Sequence, residues 1–140
     1  MVRISDLDIL RILKENARTP FVKIAEALGV SETAIRKRVR KLDEKGIIRK
    51  YTIEVDLKKL GFEVNVLIGL DTRPEDYISV LEKLKEMDEV MSLYSSSGNH
   101  MILMKCWFRS SKELADFIKT LKGIRGVTRV CPAIILEKIK

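Results

Sequence analysis

The sequence predicts an α+β fold in which three N-terminal helices precede a βαββαβ domain. Two observations lead to this prediction. Up to residue 50 the apolar side chains recur at helical spacing, and from residue 62 onward strand-like and helix-like segments alternate. The polar segment DLKKLGF stands between the two patterns. We therefore expect a helical domain over residues 1–50, a linker of strand and hinge over residues 51–61, and a sheet domain over residues 62–140.

The composition is that of a folded protein with an uneven excess of positive charge. A hydrophobic content of 46% with only three prolines argues against disorder. Residues 1–50 carry 13 Lys and Arg against 7 Asp and Glu, a net charge of +6, whereas residues 51–140 carry 14 against 13, a net charge of +1. A polyanionic partner is therefore expected to bind the first part of the chain.

Several classes of protein are disfavoured by the sequence. No segment reaches the roughly 18 consecutive apolar residues of a membrane span, and MVRISDLD is charged where a secretory signal would be apolar. We expect a cytoplasmic protein that binds no membrane. Cys106 and Cys131 lie far apart, and His100 is the single histidine, so we expect reduced core cysteines with no metal and no cofactor.

The first helix is expected over residues 5–17. Ser5 is a suitable N-cap, and the apolar positions behind it follow helical spacing: Leu7, Leu10, Leu13 and Ala17. The second helix is expected to begin with Thr19 as its cap and Pro20 at its first position. Its apolar face would consist of Phe21, Ile24, Ala25 and Leu28.

A tight turn joins the second helix to a third. Gly29 can adopt the positive φ that ends a helix, and Ser31 can cap a new one after only Val30. Two short helices joined in this way are typical of a helix-turn-helix motif. The third helix is expected over residues 31–45.

The third helix carries the strongest functional signal in the sequence. Its apolar residues Ile35, Val39 and Leu42 recur at i, i+4 and i+7 and should face the core. The residues that then point outward are nearly all cationic: Thr33, Lys37 and Arg40, flanked by Arg36 and Lys41. A solvated helix face more often mixes both signs, as EKLKEMDE does further along the chain. The tight turn before the helix favours DNA contact over a merely solvated face.

After Gly46, the segment IIRKYTIEV alternates as a strand does and is expected to form a small ribbon beside the helices. Together they would make a winged helix-turn-helix. Arg49 and Lys50 would lie near a phosphate backbone or serve as solvated charges of a connector.

From residue 62 six segments follow in the order of a ferredoxin-like domain. They are FEVNVLIGLDT (strand), PEDYISVLEKLKEM (helix), EVMSLYSS (strand), HMILMKCWF (strand), SSKELADFIKTLK (helix) and GVTRVCPAIILEKI (strand). Both helices would cover one face of the sheet. In the first strand Val64, Val66 and Ile68 alternate with Asn65, Leu67 and Gly69, so neither face of it is strongly polar. Because an uncovered, half-apolar face is costly in water, we expect a C₂ homodimer that packs sheet against sheet.

This arrangement resembles the Lrp/AsnC family of transcriptional regulators, in particular its archaeal members. The family's N-terminal pattern is similar to DLDILRILKENARTPFVKIAEALGVSETAIRKRVRKLDEKGIIRKYT, including Asn-Ala-Arg at the end of helix one and Arg-Val-x-x-Leu-x-x-x-Gly-Ile-Ile at the exit from helix three. The resemblance covers the whole chain. It implies a sequence-specific regulator that binds double-stranded promoter DNA as a dimer or larger assembly, up to an octamer, and responds to an amino acid held between C-terminal domains.

The resemblance also implies where that amino acid would bind. The family's effector loop corresponds to SSSGNHM, in which Ser97, Gly98, Asn99 and His100 match by position. The chain departs from the family pattern at Met101, where many members have an aspartate, and at Val130 and Pro132 in the last strand, where threonines are usual. The loop is equally well explained as a hairpin turn that serves backbone geometry alone.

For DNA we predict a site of seven residues: Ser31, Glu32, Thr33, Arg36, Lys37, Arg40 and Lys41. Arg36 and Arg40 suit bidentate contacts with guanine, and Thr33 suits a thymine methyl. The two lysines suit phosphates. Ser31 would cap the helix so that its amides face the DNA backbone, with Glu32 supporting the cap or discriminating a base.

Two other functions are compatible with parts of the sequence. A tetrapyrrole (sirohaem) decarboxylase branch resembles this architecture, and His100 is the one side chain suited to acid–base chemistry near neutral pH. The basic third helix argues against an enzyme. A non-specific chromosome-coating protein would bind DNA by charge alone, but the opening Ser31, Glu32, Thr33 of the third helix favours the reading of bases.

Overall fold

The computed structural model describes residues 5–140. The chain divides into two compact units, the first ending at Val55 and the second beginning at Asp56. Each unit has its own hydrophobic core. Within residues 5–140, every helix is too short or too polar to cross a membrane.

The first unit contains helices α1 (Asp6–Glu15), α2 (Phe21–Leu28) and α3 (Glu32–Glu44). Ser5 caps α1 through a reciprocal capping box, in which its hydroxyl accepts from the Asp8 N–H while the Asp8 carboxylate accepts from the Ser5 N–H. The Ser5 hydroxyl also donates to the Asp8 carboxylate at 2.7 Å, and this bond, together with the one from the Ser5 N–H, lowers the pKa of Asp8 below its usual value. The core joins the apolar sides of all three helices: Ile9, Leu13, Ile24, Ala25, Ile35 and Val39.

The start of α2 differs from the prediction. Pro20, not Thr19, occupies the N-cap position, and no side chain caps the helix. The Thr19 hydroxyl instead donates to the Asn16 carbonyl at 2.6 Å, which closes the turn between α1 and α2. Asn16 is itself extended, with φ of −152°, so α1 ends before the predicted residue 17. At the other end of α2, Gly29 has a φ of 69°, which confirms the predicted turn.

The predicted strand after α3 is wrong in the single chain. The segment 47–55 has no regular secondary structure, although its side chains alternate as those of a strand do. A strand needs a neighbouring edge to supply its hydrogen bonds, and the described part of this chain places none beside the segment. Ile48 packs against the helical core, whereas Ile47, Tyr51 and Ile53 are more than half exposed.

The second unit contains β1 (Val64–Thr72), α4 (Tyr77–Lys85), β2 (Val90–Ser95), β3 (Ile102–Phe108), α5 (Ser111–Lys122) and β4 (Val127–Ile134), with a 3-10 turn at Pro74–Asp76 before α4. The four strands form an antiparallel sheet in the order β2-β3-β1-β4. This order confirms the predicted ferredoxin-like domain. The last strand ends at Ile134, five residues earlier than expected.

Both helices of the second unit pack on the same face of its sheet. The side chains buried there include Val66, Ile68, Met104, Val80 and Leu121. The opposite side of the sheet is here called the open face, and it carries the alternate residues of each strand. Register places Gly69 between Leu103 and Cys131, and Leu67 between Lys105 and Ala133. The open face is therefore largely apolar here, and Lys105 is a charged residue among apolar neighbours.

Candidate nucleic-acid interface and ligand loop

Helix α3 holds its predicted DNA-facing side away from the core. The Ser31 hydroxyl accepts from the Ala34 N–H at 3.1 Å and caps the helix as predicted. Ile35, Val39 and Leu42 are 0%, 3% and 2% exposed. Because α3 is an α-helix, residues offset from these three by about half a turn must project outward. The inward side predicted from the sequence is confirmed.

All of the predicted DNA-binding residues lie along one surface of α3 or at its start. The outward side chains are exposed: Thr33, Arg36, Lys37, Arg40 and Lys41. Ser31 at the cap is exposed and Glu32 is half-buried. Four cations on one side of a 13-residue helix produce a concentrated positive field, and the helix N-terminus adds its own partial positive charge.

One of these cations is paired in the free protein. Arg36 forms an ion pair and hydrogen bond with Glu32, four residues earlier on the same helix, and both side chains are about half exposed. An exposed pair of this kind contributes only about 0.3–0.5 kcal/mol, less than the ~1–3 kcal/mol of a bidentate contact with a base. Glu32 can therefore hold Arg36 in place and release it to a stronger partner. The Glu-x-x-x-Arg spacing is a signal for this pair that our sequence reasoning missed.

The surroundings of α3 hold it in position. Arg38, on the side of the helix, forms an ion pair with Asp6 of α1 at 3.3 Å. After the helix, the Tyr51 hydroxyl lies 3.3 Å from a carboxylate oxygen of Asp43. Desolvation and the Asp43 charge together raise the pKa of Tyr51. This contact keeps the following segment, with the exposed Arg49 and Lys50, close to the end of α3.

The loop between β2 and β3, residues 96–101, is here called the ligand loop. It closes as a hairpin, since the Ser96 N–H donates to the Met101 carbonyl at 2.9 Å and the Gly98 N–H donates to the Ser96 hydroxyl at 3.3 Å. Ser97, Gly98 and Asn99 are exposed at its tip, whereas the His100 side chain is only 18% exposed. The four residues predicted for the effector therefore do not share one environment.

An acidic residue that the sequence reading did not single out meets the ligand loop from β1. Asp71, near the end of β1, accepts from the Met101 N–H at 2.9 Å, and its second oxygen lies 3.0 Å from His100 Nδ1. Burial raises the pKa of Asp71, but these two hydrogen bonds and the charges of His100 and Arg129 lower it by more, so the net pKa is below its usual value. The signal for Asp71 in the sequence is a carboxylate at the end of the apolar strand VNVLIGLD.

The two β4 residues singled out from the sequence, Val130 and Pro132, do not lie on the open face. Val130 pairs with Leu70 and Pro132 pairs with Ile68, so both lie on the helix-covered side of the sheet. Arg129 and Cys131 alternate with them and face outward, opposite Asp71 and Gly69. The β4 residues nearest the ligand loop in register are therefore a cation and a thiol.

Two sequence families match the chain in the same order as its two units. Residues 3–49 match a family described as winged helix-turn-helix DNA-binding, and residues 63–140 match one described as Lrp/AsnC ligand binding domain. The first match contains the seven residues predicted for DNA. The second contains the ligand loop together with Asp71.

Whole-length relatives have the same organisation. The HTH-type transcriptional regulator LrpA of Pyrococcus horikoshii is 55% identical over 141 residues, and the alignment covers 100% of both chains. Among solved structures, E. coli AsnC has a TM-score of 0.78 at 34% identity, covering 99% of this chain and 95% of that one. The Neisseria meningitidis regulator NMB0573 in complex with L-Met shares the fold, with a TM-score of 0.80 at 23% identity over 99% and 93% of the two chains.

Proposed function

This chain belongs to the Lrp/AsnC family of transcriptional regulators, and from that premise we propose that it binds specific sequences in double-stranded promoter DNA as a homodimer or a larger assembly. Its curated relatives are named as transcriptional regulators, so it is a regulatory protein and not an enzyme. The observation that carries the proposal is the outward side of α3, where four exposed cations lie opposite a buried apolar stripe.

In this proposal α3 enters the major groove with its outward side toward the bases. Arg36 and Arg40 contact guanine edges, and Thr33 meets a thymine methyl. Binding releases Arg36 from Glu32, which is inexpensive because the pair is exposed. Lys37 and Lys41 displace counterions from phosphates, so affinity should fall as salt rises. The capped N-terminus of α3 offers its free amides to the DNA backbone.

The open face of the sheet supports a homodimer. One α3 contacts only a few base pairs, so selectivity requires two copies at a set separation, about one helical turn of DNA or a multiple of it. Burying the open faces of two copies against each other would remove Leu67, Leu103 and Trp107 from water, all of which are half-buried in one chain. Four such dimers would make an octamer.

The two cysteines test this packing. Cys131 lies on the open face and is half-buried, whereas Cys106 is fully buried, and burial with the charge of Glu89 raises its thiol pKa to about 12. We expect a maleimide to label Cys131 in dilute protein and more slowly as dimers form, because the sheet contact covers it. Cys106 should react only on unfolding.

Labelling would be followed by mass spectrometry beside light scattering of the same samples. A Cys131→Ser variant serves as the matched control, since it reports Cys106 alone. A Cys131 that reacts equally fast in monomer and dimer would argue against sheet-to-sheet packing.

We further propose that the second unit binds an amino acid through the ligand loop. Support comes from the description of its family as a ligand binding domain and from the L-Met held by a structural relative. The exposed tip of the loop offers the Ser97 hydroxyl, the Asn99 amide and backbone N–H groups, which suit a carboxylate.

Selection of bound DNA from a random pool, repeated with each amino acid, tests the proposal. We expect one enriched motif with two half-sites, and at least one amino acid that changes its affinity. Discrete footprints on the enriched sites support a sequence-specific regulator. Uniform protection of unrelated DNA would instead indicate a chromosome-coating role and overturn the proposal.

A further inference from the structure

Asp71 ties the exit of the ligand loop to β1 with both of its oxygens. One oxygen accepts from the backbone of Met101 at 2.9 Å, and the other lies 3.0 Å from Nδ1 of His100. The side chains of Asp71 and His100 are only 17% and 18% exposed, so the pair is shielded from most competing water. A carboxylate accepts at both oxygens, whereas an amide of the same shape accepts at one.

Gly69 provides the space in which the His100 ring lies. A Cβ added to Gly69 would stand 2.5 Å from Cγ and 2.9 Å from Nε2 of the imidazole, closer than side-chain atoms pack. Gly69 does not have a positive φ, so its backbone conformation does not require glycine. Its lack of a side chain is needed because the ring rests on the open face at that point.

We propose that Asp71 is a positioning residue of the ligand loop. Asp71 clamps residues 100–101 onto the open face, and Gly69 leaves room there for the His100 ring. The clamp sets the conformation in which Ser97, Gly98 and Asn99 are displayed. The proposal rests on the proposed function only in taking this loop as the place where a ligand binds.

The charged groups around the clamp favour an ionised Asp71. Arg129 stands opposite it on β4, and the charge of Arg129 acts with the two hydrogen bonds to keep the carboxylate ionised. Because an ionised carboxylate can only accept, Nδ1 of His100 must carry a proton to pair with Asp71. The sulfur of Met101 also accepts, at 3.5 Å, from the Thr72 N–H, which ties the loop exit to β1 a second time.

An Asp71→Asn variant tests the clamp without changing its shape. The single amide oxygen can accept from Met101 or from His100, but not from both at full strength. We expect one of two changes: the His100 proton moves from Nδ1 to Nε2, or the Met101 amide exchanges with solvent about 10-fold faster. His100 is the single histidine, so ring-nitrogen NMR shifts at about pH 8.5 report its tautomer directly.

An Asp116→Asn variant is the matched control, since it makes the same chemical change at an exposed site on α5. It should leave both the tautomer and the exchange rate as in the parent. An Asp71→Asn protein that likewise keeps the Nδ1 proton and the slow Met101 exchange would overturn the clamp.

A double-mutant cycle gives a second, independent test. Gly69→Ala should lower the Tm by roughly 4–8 °C, because the new methyl group displaces the His100 ring. In a His100→Ala background the same Gly69→Ala change should shift the Tm by less than about 2 °C. An equal fall in Tm in both backgrounds would show that the methyl group does not act through the His100 ring. That result would refute the role assigned to Gly69.

The same variants separate this inference from the proposed function. If Asp71→Asn alters the loop and also weakens the response of DNA binding to the amino acid, the positioning role is supported in full. If the loop changes while no amino acid affects the parent protein, the ligand function fails and the clamp stands. If the amino acid acts equally on the parent and on Asp71→Asn, the positioning role is overturned.

Discussion

Replacing Arg36 and Arg40 together by alanine should abolish sequence-selective DNA binding while the protein stays folded and associated. Both side chains are exposed on the outward side of α3, so their removal leaves the core intact. Each bidentate contact with a base contributes about 1–3 kcal/mol, so the loss of two should lower affinity for the selected sequence at least ~30-fold. Binding to scrambled DNA should fall less, since two lysines remain for phosphates. Gel shifts with both DNAs at fixed salt measure the difference.

The matched control removes the same positive charge from the second unit. Lys119 and Lys122 are exposed on α5, and replacing both by alanine lowers the net charge equally. This control should keep its preference for the selected sequence over scrambled DNA. Promoter affinity that is unchanged in the Arg36→Ala, Arg40→Ala protein would show that α3 does not read the bases.

Ile35→Ala should unfold the first unit and leave the second intact. Ile35 is fully buried among the three helices, and removal of a buried isoleucine side chain to alanine costs about 2–5 kcal/mol. A domain of about 50 residues has only a few kcal/mol of stability, so most of its helical structure should be lost at ambient temperature. DNA binding should disappear with it, although no DNA-facing residue has changed.

Two spectroscopic probes distinguish the units. Trp107 is the single tryptophan and lies in β3, so its fluorescence reports on the second unit, whereas far-UV circular dichroism also reports on α1 to α3. The tryptophan transition should stay at the parent temperature while part of the helical signal is lost. Thr33→Ala, on the outward side of the same helix, should change stability by less than about 0.5 kcal/mol. Parent-like helical signal in Ile35→Ala would contradict the inward placement of Ile35.

Local sequence patterns were sufficient for most of the architecture. The spacing of Ile35, Val39 and Leu42 predicted the buried side of α3 because a helix repeats every 3.6 residues. Ser31 and Gly29 predicted the ends of helices because capping depends on one or two side chains near the helix end. The same reasoning misplaced the cap of α2, where the Thr19 hydroxyl found a closer acceptor in Asn16.

Errors and omissions occurred where contacts come from distant parts of the chain. Residues 47–55 alternate as a strand does, but a strand exists only when another edge pairs with it. Asp71 was missed because it reaches a loop about 30 residues further along the chain. Gly69 showed no signal of its own, since the ring that it accommodates comes from that same distant loop.

The sequence by itself determined the order of elements, the cationic side of α3 and membership of the family, because these follow from the identity and spacing of nearby residues. Only the tertiary structure decided which acid holds the ligand loop, which face of the sheet is open and which residues of β4 face it. Sheet pairing brings together residues far apart in sequence, and a shift of one residue in register would reverse the side on which every side chain of a strand lies.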